Sequence, residues 1–300
     1  MDFGKLPNVD HVDFTLPPDP PENELIIPGK KPNKLKIHLG APVWGDKNFV
    51  GTLYPNKTKN AEYLKCYSQQ FNAIEMSGTY YKIPTESDVL KWKEQVDSSF
   101  IFSPKISQLI NHSLLQPRIL NLYDEFVTAA SLFDTNLGTS FMLLPDFITT
   151  NRMTYLQNFI VRRDPVLPLS IEIRHPSWFN DQHMLNELFD LFLAHQIGTV
   201  ISDVAGRRDA SHMRLTTKTA FIRFVANNHS SDFLRIDDWV NRLYDWHNRG
   251  LEQFYFYIHV TPRQNTIALA NYFIDQSNKK LKRNDKKIMD YSTQSELSLF

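Results

Sequence analysis

The chain has 300 residues, 42% of them hydrophobic, enough to bury a sizeable core as one large domain or two small ones. Lys plus Arg equals Asp plus Glu at 33 each, so the net charge is zero, which removes the usual case for non-specific nucleic-acid or membrane binding. A single cysteine, Cys66, excludes a disulfide framework and a cysteine-rich zinc site within one chain, and the absence of an apolar signal core or membrane-length run makes a cytoplasmic protein the expectation.

Residues 1–34 hold seven prolines, Pro17-Pro18 and Pro20-Pro21 among them, and no apolar period. They read as an extended Pro-rich arm that docks on the body through Phe3, Phe14, Leu16, Leu25, Ile26 and Ile27. From residue 35 strand and helix signals alternate. A strand at 35–39 stops at Gly40, and a helix follows at 60–71 with Tyr63, Leu64, Tyr67 and Phe71 at helical spacing. Cys66 falls in that helix and is read as a packed small hydrophobe. Next come a strand at 73–76, a helix at 85–96 with Thr85 as N-cap, and a strand at 100–105. A helix at 117–134, a strand at 139–144 and a helix at 151–161 continue the series. The fifth strand is 169–174, followed by a helix at 182–196 and a strand at 198–203. Residues 204–218 read as irregular with one short helix; a strand at 220–225, a helix at 236–248, a strand at 253–259 and a helix at 263–276 complete the pattern. The last stretch, 277–300, carries Lys279, Lys280, Lys282, Arg283, Lys286 and Lys287 and reads as a basic polar tail in solvent, with a nucleic-acid patch as the sharper alternative.

Eight strands interleaved with helices over ~240 residues is the count of a (β/α)8 TIM barrel, here spanning 35–276. A doubly wound sheet would offer fewer strands and a Gly-rich phosphate loop, and neither GxGxxG nor GxxxxGK[ST] is present.

The most informative stretch is Ser170-Ile171-Glu172-Ile173-Arg174-His175-Pro176-Ser177-Trp178-Phe179. Its strand alternates, so if Ile171 and Ile173 meet the helices, Glu172 and Arg174 point into the centre of the sheet. Pro176 ends the strand, leaving His175 and Trp178 on the loop at its carboxyl end, where α/β folds place their sites. Glu75, Lys105, Asp203, Arg223 and His259 fall near the ends of other strands. Three carboxylates and three permanent cations roughly cancel, either as a structural ion network or as a site assembled from several strands. Lys105, Arg174 and Arg223 suit a carboxylate or phosphate. Glu75, Glu172 or Asp203 suits general acid–base work if their pKa values separate, with His112, His175 and His259 as alternatives. Trp44 and Trp178 are candidate ligand walls on strand-end loops. Three adjacent cations and the lack of HExxH count against a metal.

The motifs HLGAPVW with FVGTLYP, FNAIEMSGTYYKIP, FIFSPK with INH, and IEIRHPSWF resemble those of the YecE-like proteins, domain-of-unknown-function family 72, over residues 36–275. The resemblance implies a (β/α)8 barrel, and no established activity comes with it. It maps onto Gly40, Trp44, Glu75, Thr79, Tyr81, Lys105, His112, Glu172, Arg174, His175, Trp178, Asp203 and Arg223. The chain departs from the family pattern at Ala41-Pro42-Val43, at Leu143 where a Gln is common, at Phe224-Val225-Ala226 where His-Gly is usual, and at His259-Val260 where Asn-Asn is frequent. Those changes remove polar groups from strand ends.

The leading expectation is an enzyme acting by acid–base chemistry on a small anionic or polyhydroxylated substrate, with no cofactor. Glu75, Glu172, His175 and Asp203 are its catalytic candidates. Trp44, Tyr81, Lys105, His112, Arg174, Trp178, Arg223 and His259 are its binding candidates. A non-catalytic ligand-binding protein and metal-dependent nucleic-acid processing are the alternatives, the last on fold analogy alone.

Overall fold

In the computed structural model, residues 3–293 are described. The strands are β1 (Lys36–Gly40), β2 (Ala73–Met76), β3 (Ile101–Pro104), β4 (Ser140–Leu143), β5 (Leu169–Glu172), β6 (Gly198–Asp203), β7 (Thr219–Val225) and β8 (Gln253–His259). The helices are α1 (Tyr63–Ser68), α2 (Glu86–Lys93), α3 (Gln108–His112), α4 (Ile119–Ser131), α5 (Met153–Arg162), α6 (Pro176–Phe179), α7 (Gln182–Ala194), α8 (Ser231–Arg249) and α9 (Thr266–Leu281). None of these helices is long and apolar enough to cross a membrane.

Every strand pair is parallel, so each connection needs a crossover, and the helices supply it. Six strands hydrogen-bond in the order β1-β8-β7-β6-β5-β4, and β2 pairs with β3 separately. No closed barrel is detected among the described residues, because the ladder breaks between β1 and β2 and between β3 and β4. At the first break the Glu75 N–H donates to the Ala41 carbonyl at 3.2 Å. Gly40 makes that approach feasible, since a Cβ there would sit 2.1 Å from the Ala73 carbonyl oxygen. At the second, single bridges join Phe102 to Leu137 and Lys105 to Phe141.

Alternation sorts each strand into two faces. Ile171 and Ile173 pack outward with Leu156, Phe159, Leu188 and Phe192 of α5 and α7. Fully burying such a side chain contributes about 1.5–3 kcal/mol. On the inner face Ala73, Phe141, Val200, Phe221, Tyr255 and Tyr257 form their own layer. Glu172 and Arg174 lie on that inner side, as the alternation of the fifth strand requires.

Several helix readings change. Thr85 does cap α2, accepting from the Asp88 N–H while Asp88 accepts from the Thr85 N–H. However, α8 starts at Ser231, because its first turn hides polar Asp232 and Arg235 in the interior. The fifth strand stops at Glu172, short of the expected 174, and Pro176 opens α6 as its first residue, capped by His175. The five-residue α3 is too short to leave a periodic signal.

The arm wraps the body. Phe14, Leu16, Ile26 and Ile27 are buried, and buried Asn23 bonds the Met213 carbonyl and the Leu215 N–H. Asp19 accepts from Arg242, Trp246 and Arg249 along α8. Near the start of the arm, the Gly4 carbonyl accepts from the Gly206 N–H beyond β6.

The basic stretch after 276 is not a solvated tail as far as residue 293. The helix α9 runs on to Leu281, and Ile288 is only 3% exposed. Asn271 and Asn278, seven apart on α9, each bond both backbone groups of Ile288 and Asp285 respectively. The remainder of the expected tail, 294–300, lies outside the described residues.

Candidate functional site

The carboxyl ends of the inner face carry a continuous ion network. The Arg223 guanidinium on β7 donates through Nε and Nη2 to both oxygens of Glu75 on β2, at 3.0 and 2.9 Å. Through Nη1 it also reaches Glu172 Oε2 on β5 at 2.7 Å. Glu172 Oε1 accepts from Arg174 Nε at 2.7 Å and from the Ser202 hydroxyl at 2.9 Å. His259, ending β8, meets Glu75 Oε2 through Nε2 at 2.8 Å. Both carboxylates are fully buried.

Burial by itself raises the Glu75 carboxyl, but Arg223 and His259 outweigh it and hold the group well below the usual carboxylate range. Burial likewise opposes ionisation of Glu172, and Arg174 with Arg223 brings that carboxyl down to about 2. Burial pushes His259 down against the pull of Glu75, so the imidazole is neutral at pH 7 and carries its proton on Nε2 to donate to the carboxylate. Each oxygen of the two carboxylates is thus taken by a donor. Their job in this arrangement is to orient Arg223 and Arg174.

Above the network lies a cavity of about 690 Å³ lined by Trp44, Tyr81, Lys105, Arg174, Arg223 and His259, with Tyr80, Leu143 and Arg263. Its charged lining groups are all cations; the carboxylates sit beneath. Burial, reinforced by Arg223, pushes the Lys105 ammonium down to about 8, against the pull of Glu75 and Glu172. That ammonium stands 3.9 Å over the Tyr80 ring. Thr79 holds the base of Lys105 in place, its hydroxyl donating to the Met76 and Lys105 carbonyls at 2.9 and 2.7 Å. Tyr81, 72% exposed, stands at the rim. The arm adds Phe3, whose ring centre is 4.4 Å from the Arg174 guanidinium.

Residues 38–291 match a family model described as "Protein of unknown function DUF72". The chain belongs to the DUF72 family. Among DUF72 relatives, UPF0759 protein YecE of Escherichia coli (strain K12) is 26% identical over 250 residues, covering 75% of this chain and 86% of YecE. UPF0759 protein YunF of Bacillus subtilis (strain 168) is 24% identical over 152 residues, 48% of this chain and 52% of YunF. Two crystal structures of a DUF72 family protein from Enterococcus faecalis V583 superpose with a TM-score of 0.63 at 17% identity. They cover 84% of this chain and 98% and 100% of theirs, a likeness of fold.

Of the candidate site residues, the structure joins Glu75, Glu172, Arg174, Arg223 and His259 in one network and sets Trp44, Tyr81 and Lys105 on the cavity wall. Four others lie elsewhere. Asp203 sits beside Phe224 in register, whereas its neighbour Ser202 sits beside Arg223, so Asp203 faces the helices. There it binds Arg208, Arg235 and the Trp239 indole. His175 accepts from the Ser177 N–H at 3.1 Å as the cap of α6. Trp178 is buried in the outer core and donates to the Ile148 carbonyl at 2.9 Å. His112 is exposed at the end of α3, with its ring 6.4 Å from Phe147.

The DUF72 departures have distinct effects. Leu143 gives the cavity an apolar wall, Val225 faces a neighbouring cleft with Leu6 and Pro7 of the arm, and His259 supplies a polar group of its own. The sequence reading missed Ser202, Arg263 and the placement of Phe3. Strand parity from Val200 would have found Ser202. Arg263 reaches the cavity from a turn and Phe3 reaches Arg174 from the arm, and no periodicity announces either.

Proposed function

We propose that this DUF72 chain is an enzyme that binds a small anionic substrate at the carboxyl ends of an eight-stranded barrel and moves a proton through Lys105. The substrate class is a carboxylate or phosphate ester of sugar size. The observation that carries this reading is the Lys105 ammonium, which lines the cavity, has no ion-pair partner among the described residues, and is tuned to about 8. A proton-transfer group works best with a pKa near the operating pH. Arg174, Arg223 and Arg263 on the same wall suit the anionic part of the substrate, and Trp44 with Tyr81 suits its apolar or ring face. Glu75 and Glu172 act as positioning residues, and neutral His259 is the second proton-bearing group. The barrel reading draws support from β1 lying beside β8 and from a site contributed by β2, β5, β7 and β8 together with Lys105 just past β3. A non-catalytic binding role draws on a different observation, the full commitment of both carboxylates to hydrogen bonds.

The test is a thermal-shift panel of small carboxylates and sugar phosphates, followed by NMR of each stabilising ligand incubated with the protein. A ligand at about 100 times its Kd adds about 2.7 kcal/mol of stability. At least one anion is expected to raise Tm in the wild type and not in Arg174→Ala. Its conversion should show an inflection near pH 8 and fall by about 10²–10⁴-fold in Lys105→Met. A ligand bound but left unchanged would establish the binding role. Stabilisation that survives both substitutions would remove the site from this cavity.

A further inference from the structure

A second cavity, of about 890 Å³, opens at the other end of the strands, where β1 and β8 begin and α8 and α9 finish. Its charged lining is Lys31, Lys34, Lys36, Lys280, Lys282 and Arg283, with no aspartate or glutamate. Arg283 is paired with Asp285 at 2.6 Å, while the five lysines form no ion pair among the described residues. In a chain of zero net charge this is a strong local excess, gathered from opposite ends of the sequence. Attraction to a helix C-terminus accounts for Lys280 and Lys282 but not for Lys31, Lys34 or Lys36, which lie on the arm and at the start of β1.

The cavity wall supplies an independent observation. His38 is only 7% exposed and stacks on Tyr255 with ring centres 4.3 Å apart, yet its Nε2 has no hydrogen-bond partner. Buried polar atoms are nearly always satisfied, so an unpartnered one in the wall of a basic cavity is out of the ordinary. Burial pushes this imidazole down to about 4, against a hydrogen bond with the Gln253 side chain that favours the proton, so it adds no charge of its own to the cavity.

We propose that this cavity binds an oligophosphate, two or three linked phosphate groups held by the lysine ammonium groups, with neutral His38 and Tyr255 in its wall. Lysines act on phosphate as compact point charges, whereas the planar fork of arginine suits carboxylates equally well. The cations ring one concavity and do not run as a stripe along a face, which favours a compact polyanion over a nucleic-acid strand. Inorganic tripolyphosphate and a nucleoside triphosphate share this chemistry. The site is separate from the cavity of Lys105 and does not depend on its function.

Calorimetric titrations of the full chain with tripolyphosphate, ATP and a single-stranded oligonucleotide test the proposal. Tripolyphosphate is expected to bind one to one and weaken as salt rises. Its affinity should drop about tenfold or more in Lys34→Glu/Lys282→Glu with Tm preserved, and stay level in Lys105→Met. Equal affinity for ATP assigns recognition to the phosphates alone, and tighter ATP binding with the same lysine dependence assigns the site to a nucleotide. The proposal is overturned if neither oligophosphate binds at millimolar concentration, or if the double charge reversal leaves affinity unchanged. It is overturned equally if Lys105→Met abolishes binding, or if the oligonucleotide binds where both oligophosphates fail.

Discussion

Replacing Arg223 by methionine tests the ion network most directly. The substitution keeps an unbranched side chain of similar reach but strips the three charge-assisted hydrogen bonds described above, two from Glu75 and one from Glu172. Glu172 keeps Arg174 and Ser202, while Glu75 keeps only neutral His259 among the partners described above. Breaking one side of a buried ion pair costs about 3–5 kcal/mol, and here a second carboxylate loses a partner as well, so the upper part of that range is expected at pH 8. The pH dependence carries the sharper signal. In the wild type the network holds both carboxyls below their unfolded values, so its stabilisation is fully present above the unfolded pKa and fades as pH falls below about 5. Without Arg223, burial dominates Glu75 and its folded pKa rises above the unfolded one, so protonation favours the folded variant. The destabilisation of Arg223→Met should therefore shrink steadily from pH 8 to pH 5. Urea denaturation at intervals across that range measures it, and adding Glu75→Gln to the variant should recover part of the loss at pH 8. A destabilisation under about 1 kcal/mol, or one independent of pH, would refute a buried charge network and leave a set of surface-like pairs.

Asp203→Asn should cost about 3 kcal/mol by leaving Arg208 without its buried counter-charge and Arg235 with Asp232 alone. It should leave the anion-induced Tm shift at the Lys105 cavity intact, and a lost shift would return Asp203 to the site. Gly40→Ala drives a methyl group against the Ala73 carbonyl, a backbone atom that cannot step aside, and should cost about 3 kcal/mol or more. The check is its Tm against that of the wild type; no change would mean that β1 and β2 separate freely.

The sequence placed the fold's frame well because parallel strands covered on both sides appear as short apolar runs, and 73–76, 198–203 and 253–259 coincide with β2, β6 and β8. Where a strand alternates strongly, as in Ile171-Glu172-Ile173-Arg174, the inner face could be read directly. The run Gly198-Thr199-Val200-Ile201-Ser202-Asp203 offers no such contrast, and its carboxylate is the more conspicuous group although register sets the hydroxyl beside Arg223. His175 and Trp178 were legible as a strand-end pair, but their chemistry is spent on capping a four-residue helix and filling the outer core. The docking of 282–293 depends on Asn271 and Asn278, whose polar side chains resemble solvent-facing ones until the segment they bind is seen.

The wrapped arm also constrains the order in which the molecule can be made. Asn23, Phe14, Pro17 and Asp19 find their partners 190 to 230 residues later in the chain. Contacts of such separation form late, since the intervening loop must close first. At ribosomal speeds of about 5–20 residues per second, the arm waits roughly ten to forty-five seconds before β7 and α8 exist. During that interval Phe14, Leu16, Ile26 and Ile27 have no surface to cover. Its prolines then have a second use, because a segment that cannot form a regular strand or helix makes a poor template for mispairing while it waits.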